Sequence, residues 1–237
     1  DDAGRRFEAA DLEELPDPAR RYFEAVLEEG QPYVRSVRLE QEGEFRLGDS
    51  ERSWRPMAAT QHYTVDPPGF VWSATVRALP FVPVTVLDAY DHGSGVLRAR
   101  LLSTVTVADV GPDEEMNEGE LVRYLGEAVW FPTALLPAEG VEWEAVDDRS
   151  ARATLEDGGN TASVVFHFDE DDRVARVTTE RYRQETEDHA PWTGYFRGYE
   201  ERNGMTVPTE AEVEWNLPEG DRPYWRAEVV GIEHRPS

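Results

Sequence analysis

The sequence predicts a mainly β protein of the α+β class, a large curved antiparallel sheet or half-barrel of about eleven strands with an N-terminal helix and one central helix packed against it. Three observations lead there. Apolar and polar residues alternate with a period of two in successive runs from Val37 to Ile232, at roughly ten-residue spacing. Turn-forming clusters separate the runs, among them Gly48-Asp49-Ser50, Asp66-Pro67-Pro68-Gly69, Asp91-His92-Gly93-Ser94-Gly95 and 169–172. Only two segments carry a helical period, so the crossovers that parallel pairing needs are missing and the runs pair as a meander. No unit repeats, which disfavours a propeller or a solenoid.

The first helix is announced by Leu15-Pro16-Asp17-Pro18, with Asp17 as N-cap and Pro18 at the first helical position, and Gly30 closes it. Ala19, Tyr22, Phe23, Val26 and Leu27 form one apolar stripe, which a sheet must cover. The acidic residues before it, within 1–14, read as a frayed lead-in. The first strand follows, with Val37, Leu39, Gln41, Gly43, Phe45 and Leu47 on its dry face. Phe70, Trp72, Ala74 and Val76, and later Ala211, Val213 and Trp215, repeat the pattern. In the middle, Asn117 and Glu120 form a capping pair for a helix that runs to Phe131, where Pro132 ends it. Leu121, Val122, Leu125, Ala128 and Val129 make its apolar stripe, while Arg123, Glu127 and Trp130 share the opposite side at i, i+4 and i+7. The segment Pro132-Thr133-Ala134-Leu135-Leu136-Pro137 is apolar and costly to leave in water.

Composition bounds the habitat and excludes several chemistries. The 237 residues contain no lysine, and 24 arginines face 49 acidic residues for a net charge of −25. At molar salt the Debye length is about 3 Å, so such a surface is nearly screened, and the composition reads as adaptation to brine. Aromatic residues at 11%, with seven tryptophans, supply a core that a disordered chain lacks. The chain reads as a single domain, 1–237, with no linker-like stretch. The absence of cysteine excludes disulfides and thiolate chemistry. No apolar run reaches the about 18 residues of a membrane span. The expected location is either the cytoplasm of a high-salt organism or an extracytoplasmic site reached through a removed N-terminal signal or anchor. An acidic surface without a basic stripe repels nucleic acid.

Catalytic and cofactor motifs are missing: there is no GxSxG, GxGxxG, phosphate loop or HExxH. The five histidines stand singly, so neither a metal nor a cofactor is expected. Asp88-Ala89-Tyr90-Asp91-His92-Gly93 reads as a hairpin turn. Arg181 and Arg183 share one strand face, either in a cross-strand ion-pair ladder or as a seat for an anionic group. The mixed helix face has two readings as well. Arg123 and Glu127 form a solvent-facing pair, or the face looks into an enclosed space, which the size of Trp130 favours. Gln41, Gln61 and Asp88 add to the second reading, because alternation puts these polar groups on the dry face.

Leu15-Pro16, Arg20-Arg21-Tyr22-Phe23, Pro67-Pro68-Gly69-Phe70-Val71-Trp72, Arg123-Tyr124-Leu125 with Glu127 and Trp130, and Pro132 to Pro137 carry a family resemblance. Asp147-Asp148-Arg149-Ser150-Ala151 and Glu180-Arg181-Tyr182-Arg183 extend it. From about residue 12 to its end the chain resembles a domain-of-unknown-function family of bacterial and haloarchaeal proteins. That resemblance implies membership and fold, and no activity. In element order alone the chain is also similar to the lipoprotein-localisation carriers, whose curved sheet encloses an apolar pocket. The leading expectation is non-catalytic binding of an apolar or lipid-like small molecule, with Trp72, Trp130 and Leu135 lining the pocket. Arg123, Glu127 and Arg181 would satisfy a polar end, with Asp88, Gln41 and Gln61 as further ligand-binding candidates from the dry face. Two alternatives stay open: a hydrolase or isomerase using Glu127, Arg123 and Asp88, and a protein-interaction domain.

Overall fold

The computed structural model describes residues 4–48, 53–79, 82–102 and 105–236. The alternating runs of the N-terminal half form a meander of β1 (Val34–Arg46), β2 (Trp54–Thr64), β3 (Gly69–Leu79), β4 (Val82–Asp91), β5 (Ser94–Leu101) and β6 (Val105–Val110). The C-terminal half contributes β7 (Glu142–Asp147), β8 (Ser150–Asp157), β9 (Asn160–Phe168), β10 (Val174–Arg183) and β11 (Asp188–Arg197). A small ribbon of β12 (Glu200–Arg202) and β13 (Met205–Val207) precedes β14 (Glu210–Leu217) and β15 (Gly220–Pro236). Because β1 pairs with β15, the halves fuse into one open antiparallel sheet of thirteen strands with β6 and β7 at its two edges. The sheet is the large open antiparallel one expected, with thirteen strands against about eleven; the separate ribbon of β12 and β13, three residues each, is too short to show alternation.

The helix α2 (Glu114–Glu127) lies in the connection between the two edge strands, and it forces the sheet to curl. It packs on β4 and β5 of one wing and on β9 and β10 of the other. Strands β5 and β9 are nine strand spacings apart in the sheet order, about 43 Å on a flat sheet, whereas a helix is only about 10–12 Å across. Gly43 sits where β1 meets β15, and a Cβ there would lie 2.1 Å from the Arg226 carbonyl oxygen, so the strands approach as only glycine permits. At the rim the β4–β5 and β8–β9 turns touch. A Cβ on Gly93 would lie 2.8 Å from the Gly158 Cα, Asn160 donates to the Gly93 carbonyl at 2.9 Å, and the Tyr90 hydroxyl donates to Asp157 at 2.8 Å.

The N-terminal helix α1 (Asp17–Val26) buries Ala19, Tyr22, Phe23 and Val26 as its period predicts, with Leu27 buried just beyond it. Tyr22 stacks on Phe168 at 5.4 Å and Phe23 meets Trp143 edge-on at 5.9 Å. Its ends differ from expectation. Pro16 is the N-cap, with Asp17 the first helical residue and Pro18 the second. At the other end Leu27 turns extended and bridges to Met205, so Gly30 caps nothing and instead donates its N–H to the Phe7 carbonyl. The lead-in is packed and not frayed over residues 7–15, a correction with a clear cause. Phe7, Leu12 and Leu15 are buried, a 3-10 turn spans Ala9–Leu12, and Phe7 N–H bonds to the Gln31 carbonyl.

Along β1 the dry face holds through Val37, Leu39 and Gln41 and loosens toward Leu47, which is 41% exposed. Of the turn Gly48-Asp49-Ser50, the last two residues lie outside the described residues. The central helix starts earlier than the capping pair implied: Asp113 is the N-cap and accepts from Met116 N–H at 2.7 Å. Asn117 is inside the helix and accepts from Gly95 N–H at 2.8 Å. The α-helix ends at Glu127 and continues as 3-10 turns over Ala128–Trp130, Pro132–Leu135 and Pro137–Glu139. Leu121, Val122, Leu125, Ala128 and Val129 are all buried, as is the segment from Pro132 to Leu136.

Candidate functional site

Curling leaves a hollow. Over α2, between the wings, is a cavity of about 250 Å³ whose floor carries Glu120, Arg123 and Glu127, polar residues at i, i+3 and i+7 of one helical face. One wall is Trp72, Val86, Asp88 and Leu97 of β3, β4 and β5; Phe45 of β1 lies between the walls. The other wall comes from β10, β11, β14 and β15: Arg181 and Tyr182, Trp192, Val213 and Trp215, and Tyr224 and Trp225. Four of the seven tryptophans therefore face one small space. Roomier hollows of about 750 Å³ lie around Asp147, Arg149, Arg173 and Arg176, among exposed and half-exposed charged side chains.

A hydrogen-bonded chain ties four strands to the helix. Arg123 donates through Nη1 to Asp88 Oδ2 and through Nε to Glu127 Oε1 at 2.9 Å. Its guanidinium also lies over the rings of Phe70 at 4.8 Å and Trp72 at 5.1 Å. The second oxygen of Glu127 accepts from Tyr63 Oη at 2.7 Å and Gln61 Nε2 at 2.8 Å. Gln61 in turn touches Gln41 at 3.5 Å, and Gln41 accepts the Trp72 indole N–H at 2.9 Å. On the opposite wing, Arg181 donates to the Gly119 carbonyl at 3.0 Å, approaches Glu120 Oε1 to 3.8 Å and lies over Trp192 at 5.3 Å.

These charges are buried, and burial sets their protonation. Glu120, 5% exposed, is pushed up to about 8 by desolvation first and by the neighbouring Asp88 second, against the pull of Arg123 and Arg181. Asp88 is raised by desolvation, with Arg123 and Arg181 opposing. For Arg123, desolvation acts downward, yet Glu127, Asp88 and Glu120 together raise it, so it stays cationic. Burial, then Glu127, holds the Tyr63 hydroxyl well above its ordinary value, which keeps it a donor. Asp88 Oδ1, Glu120 Oε2 and Arg181 Nε are buried with no hydrogen-bond partner among the described residues. Among those residues no three His, Asp or Glu gather as a metal site.

Five of the residues singled out from the sequence, Trp72, Asp88, Arg123, Glu127 and Arg181, line the cavity. Gln41 and Gln61 stand behind its wall as links of the hydrogen-bonded chain. Asp88 lies within β4, opposite Trp72 and Leu97, and the turn follows at His92. Among the described residues Arg181 pairs not along the sheet but across to α2. Trp130 and Leu135, expected as lining, are core residues with 1% and 0% exposure. The Trp130 indole donates to the Pro208 carbonyl at 3.1 Å and meets Phe196 edge-on. The cause is the change of helix type after Glu127. A 3-10 residue advances about 120° where an α residue advances about 100°, so three of them rotate the indole by roughly 60° off the Arg123 face. Sequence reasoning missed Glu120 as a floor residue, although it stands one turn before Arg123. It also missed Trp192 and Trp225, which the alternation of their strands places inward with Gly194 and Ala227, and Tyr224, which alternation alone could not place because the β14–β15 register shifts beside it, between Val213 and Glu214.

The sequence pattern of a family of unknown function, DUF6544, matches residues 5–227. No curated protein matches the chain in sequence. Among solved structures, a LolA superfamily protein from Nitrosomonas europaea is similar with a TM-score of 0.44 and 11% identity, covering 97% of this chain and 91% of that one. A porin-like protein from Bacteroides uniformis gives 0.29 at 7% identity, over 86% of this chain and 96% of the other. A β-barrel-like protein of a domain of unknown function, DUF1849, from Brucella abortus gives 0.25 at 10% identity, over 86% and 99%.

Proposed function

The chain belongs to this family of unknown function, DUF6544, and we propose that it is a salt-adapted, non-catalytic binding protein that holds an apolar or lipid-like small molecule in the cavity over α2. The observation that carries this reading is the division of the lining: indole and aliphatic walls over a floor where Arg123 is held by Glu127 and Asp88 while Glu120 keeps one oxygen open. Such a site takes an apolar body and one polar end. Its volume of about 250 Å³ is just below the roughly 300–1,000 Å³ of small-molecule pockets, which suits a small amphiphile or one end of a longer one. The test is extraction of the purified protein into organic solvent at high salt with mass spectrometry, alongside titration with a lipophilic dye. Saturable dye uptake that Leu97→Trp abolishes by filling the cavity is expected; no lipid and no uptake would remove the proposal.

A second reading is acid–base catalysis, favoured by one observation: Glu120 and Asp88 are neighbouring buried carboxyls, both raised. The role expected of Glu127 shifts to Glu120 in that case, because both Glu127 oxygens are occupied by Arg123, Gln61 and Tyr63. No Ser, Thr or His is among the lining residues to act as a nucleophile. Hydrolase or isomerase activity lost in Glu120→Gln, with an apparent pKa near 8 in the parent, would establish it over simple binding.

A further inference from the structure

The polar atoms left open in the cavity are unequal in kind. Asp88 Oδ1 and Glu120 Oε2 are acceptors on side chains 6% and 5% exposed, and neither finds a donor among the described residues. Both residues line the cavity, one from the wall and one from the floor. Two indole donors of the walls are spent. The Trp72 indole N–H is held by Gln41 at 2.9 Å and that of Trp192 by the Tyr224 hydroxyl at 2.9 Å. Arg123 is spent on Asp88 and Glu127, and Arg181 Nε is the buried donor of the lining that finds no partner among the described residues.

Charge points the same way. Glu120 is faced from its own helix by Arg123 and Glu127, from β4 by Asp88, from β10 by Arg181 and Tyr182, and from β15 by Tyr224. Arg183, further along β10, lies over the Trp215 ring and is neutralised by Glu185. With all carboxyls ionised, three negative groups meet two guanidinium groups, a net charge of −1 in the lining. A buried site tolerates a balanced charge far better than an unbalanced one, so a cation balances it and an anion makes it worse.

Resting on the proposed binding role, we infer that the ligand is a cationic amphiphile: a protonated primary or secondary amine on an apolar body, its ammonium donating to Asp88 Oδ1 and Glu120 Oε2. The indoles of Trp215 and Trp225 in the opposite wall cover the apolar body. Because Glu120 is raised to about 8, the empty site at neutral pH holds a proton that the ammonium must displace.

The test is calorimetric titration of the full chain in molar potassium chloride with octylamine, octanol and octanoate. Octylamine is expected to bind at least about tenfold more tightly than the other two near pH 9, since charge-assisted hydrogen bonds exceed neutral ones by that order. Below pH 8 its affinity should fall about tenfold per unit as the proton competes, and about one proton should be released on binding near pH 7. Glu120→Gln should cut the preference for octylamine over octanol by roughly ten- to hundredfold. The proton count in the parent protein keeps the test decisive if that variant does not fold. Octanoate or octanol binding as well as octylamine, an unchanged preference in Glu120→Gln, or no released proton each overturns the cationic ligand while the pocket stands. No saturable binding by any of the three overturns both.

Discussion

At the scale of single residues, Glu120 is the group whose protonation the fold controls most directly. Its carboxyl is raised from 4.5 to about 8, so the folded state binds its proton more tightly than the unfolded state does. The stabilisation is present in full below the unfolded value and is lost as pH rises through the folded one, between about 4.5 and 8. Glu120→Gln, neutral at every pH, should therefore unfold at higher denaturant than the parent above pH 8. The gain, on the order of a few kcal/mol, should vanish toward pH 5, as denaturation curves across pH would read. Arg123 behaves oppositely. Its removal leaves Asp88 and Glu127 buried without their cation, and Arg123→Met should destabilise by about 3–5 kcal/mol. The Arg123–Glu127 pair was legible from its i, i+4 spacing. Its burial was not, because the same spacing serves an exposed pair equally well.

At the scale of elements, the junction of α2 with its 3-10 continuation decides which side chains face the cavity. The apolar stripe through Val129 was readable because a stripe this wide tolerates a change of pitch. A single side chain at its end does not, and Trp130 passes from the expected lining into the core against Phe196. Trp130→Ala should cost about 3–5 kcal/mol in unfolding free energy while the folded protein still takes up dye. Loss of dye uptake at full stability would place the indole in the site after all. Gly43 makes the matching test in the sheet: with Arg226 O at 2.1 Å from any added Cβ, Gly43→Ala must push β1 off β15 or flatten the bend. A drop of at least about 2 kcal/mol is expected, within the upper range for overpacking. The alternation that places Gly43 on the dry face was visible in the sequence; the approach of β15, nearly two hundred residues away, was not.

For the whole molecule, a charge of −25 on 237 residues makes folding a function of ionic strength. Thermal melts should rise steadily as potassium chloride increases toward molar concentrations, where the Debye length shrinks to about 3 Å; a salt-independent Tm would count against adaptation to brine. Local chemistry carried much of the architecture. Period-two runs, turn clusters and two helical stripes specify strands and helices through interactions a few residues long, and composition specifies the surface. The cavity answers to something else. Its lining comes from α2 and eight strands of a sheet whose wings are brought together only by wrapping one helix. Which polar groups end up buried, and which carboxyl keeps its proton, depends on desolvation by residues remote in sequence. Periodicity can say that a side chain points inward; only the packed fold decides what it finds there.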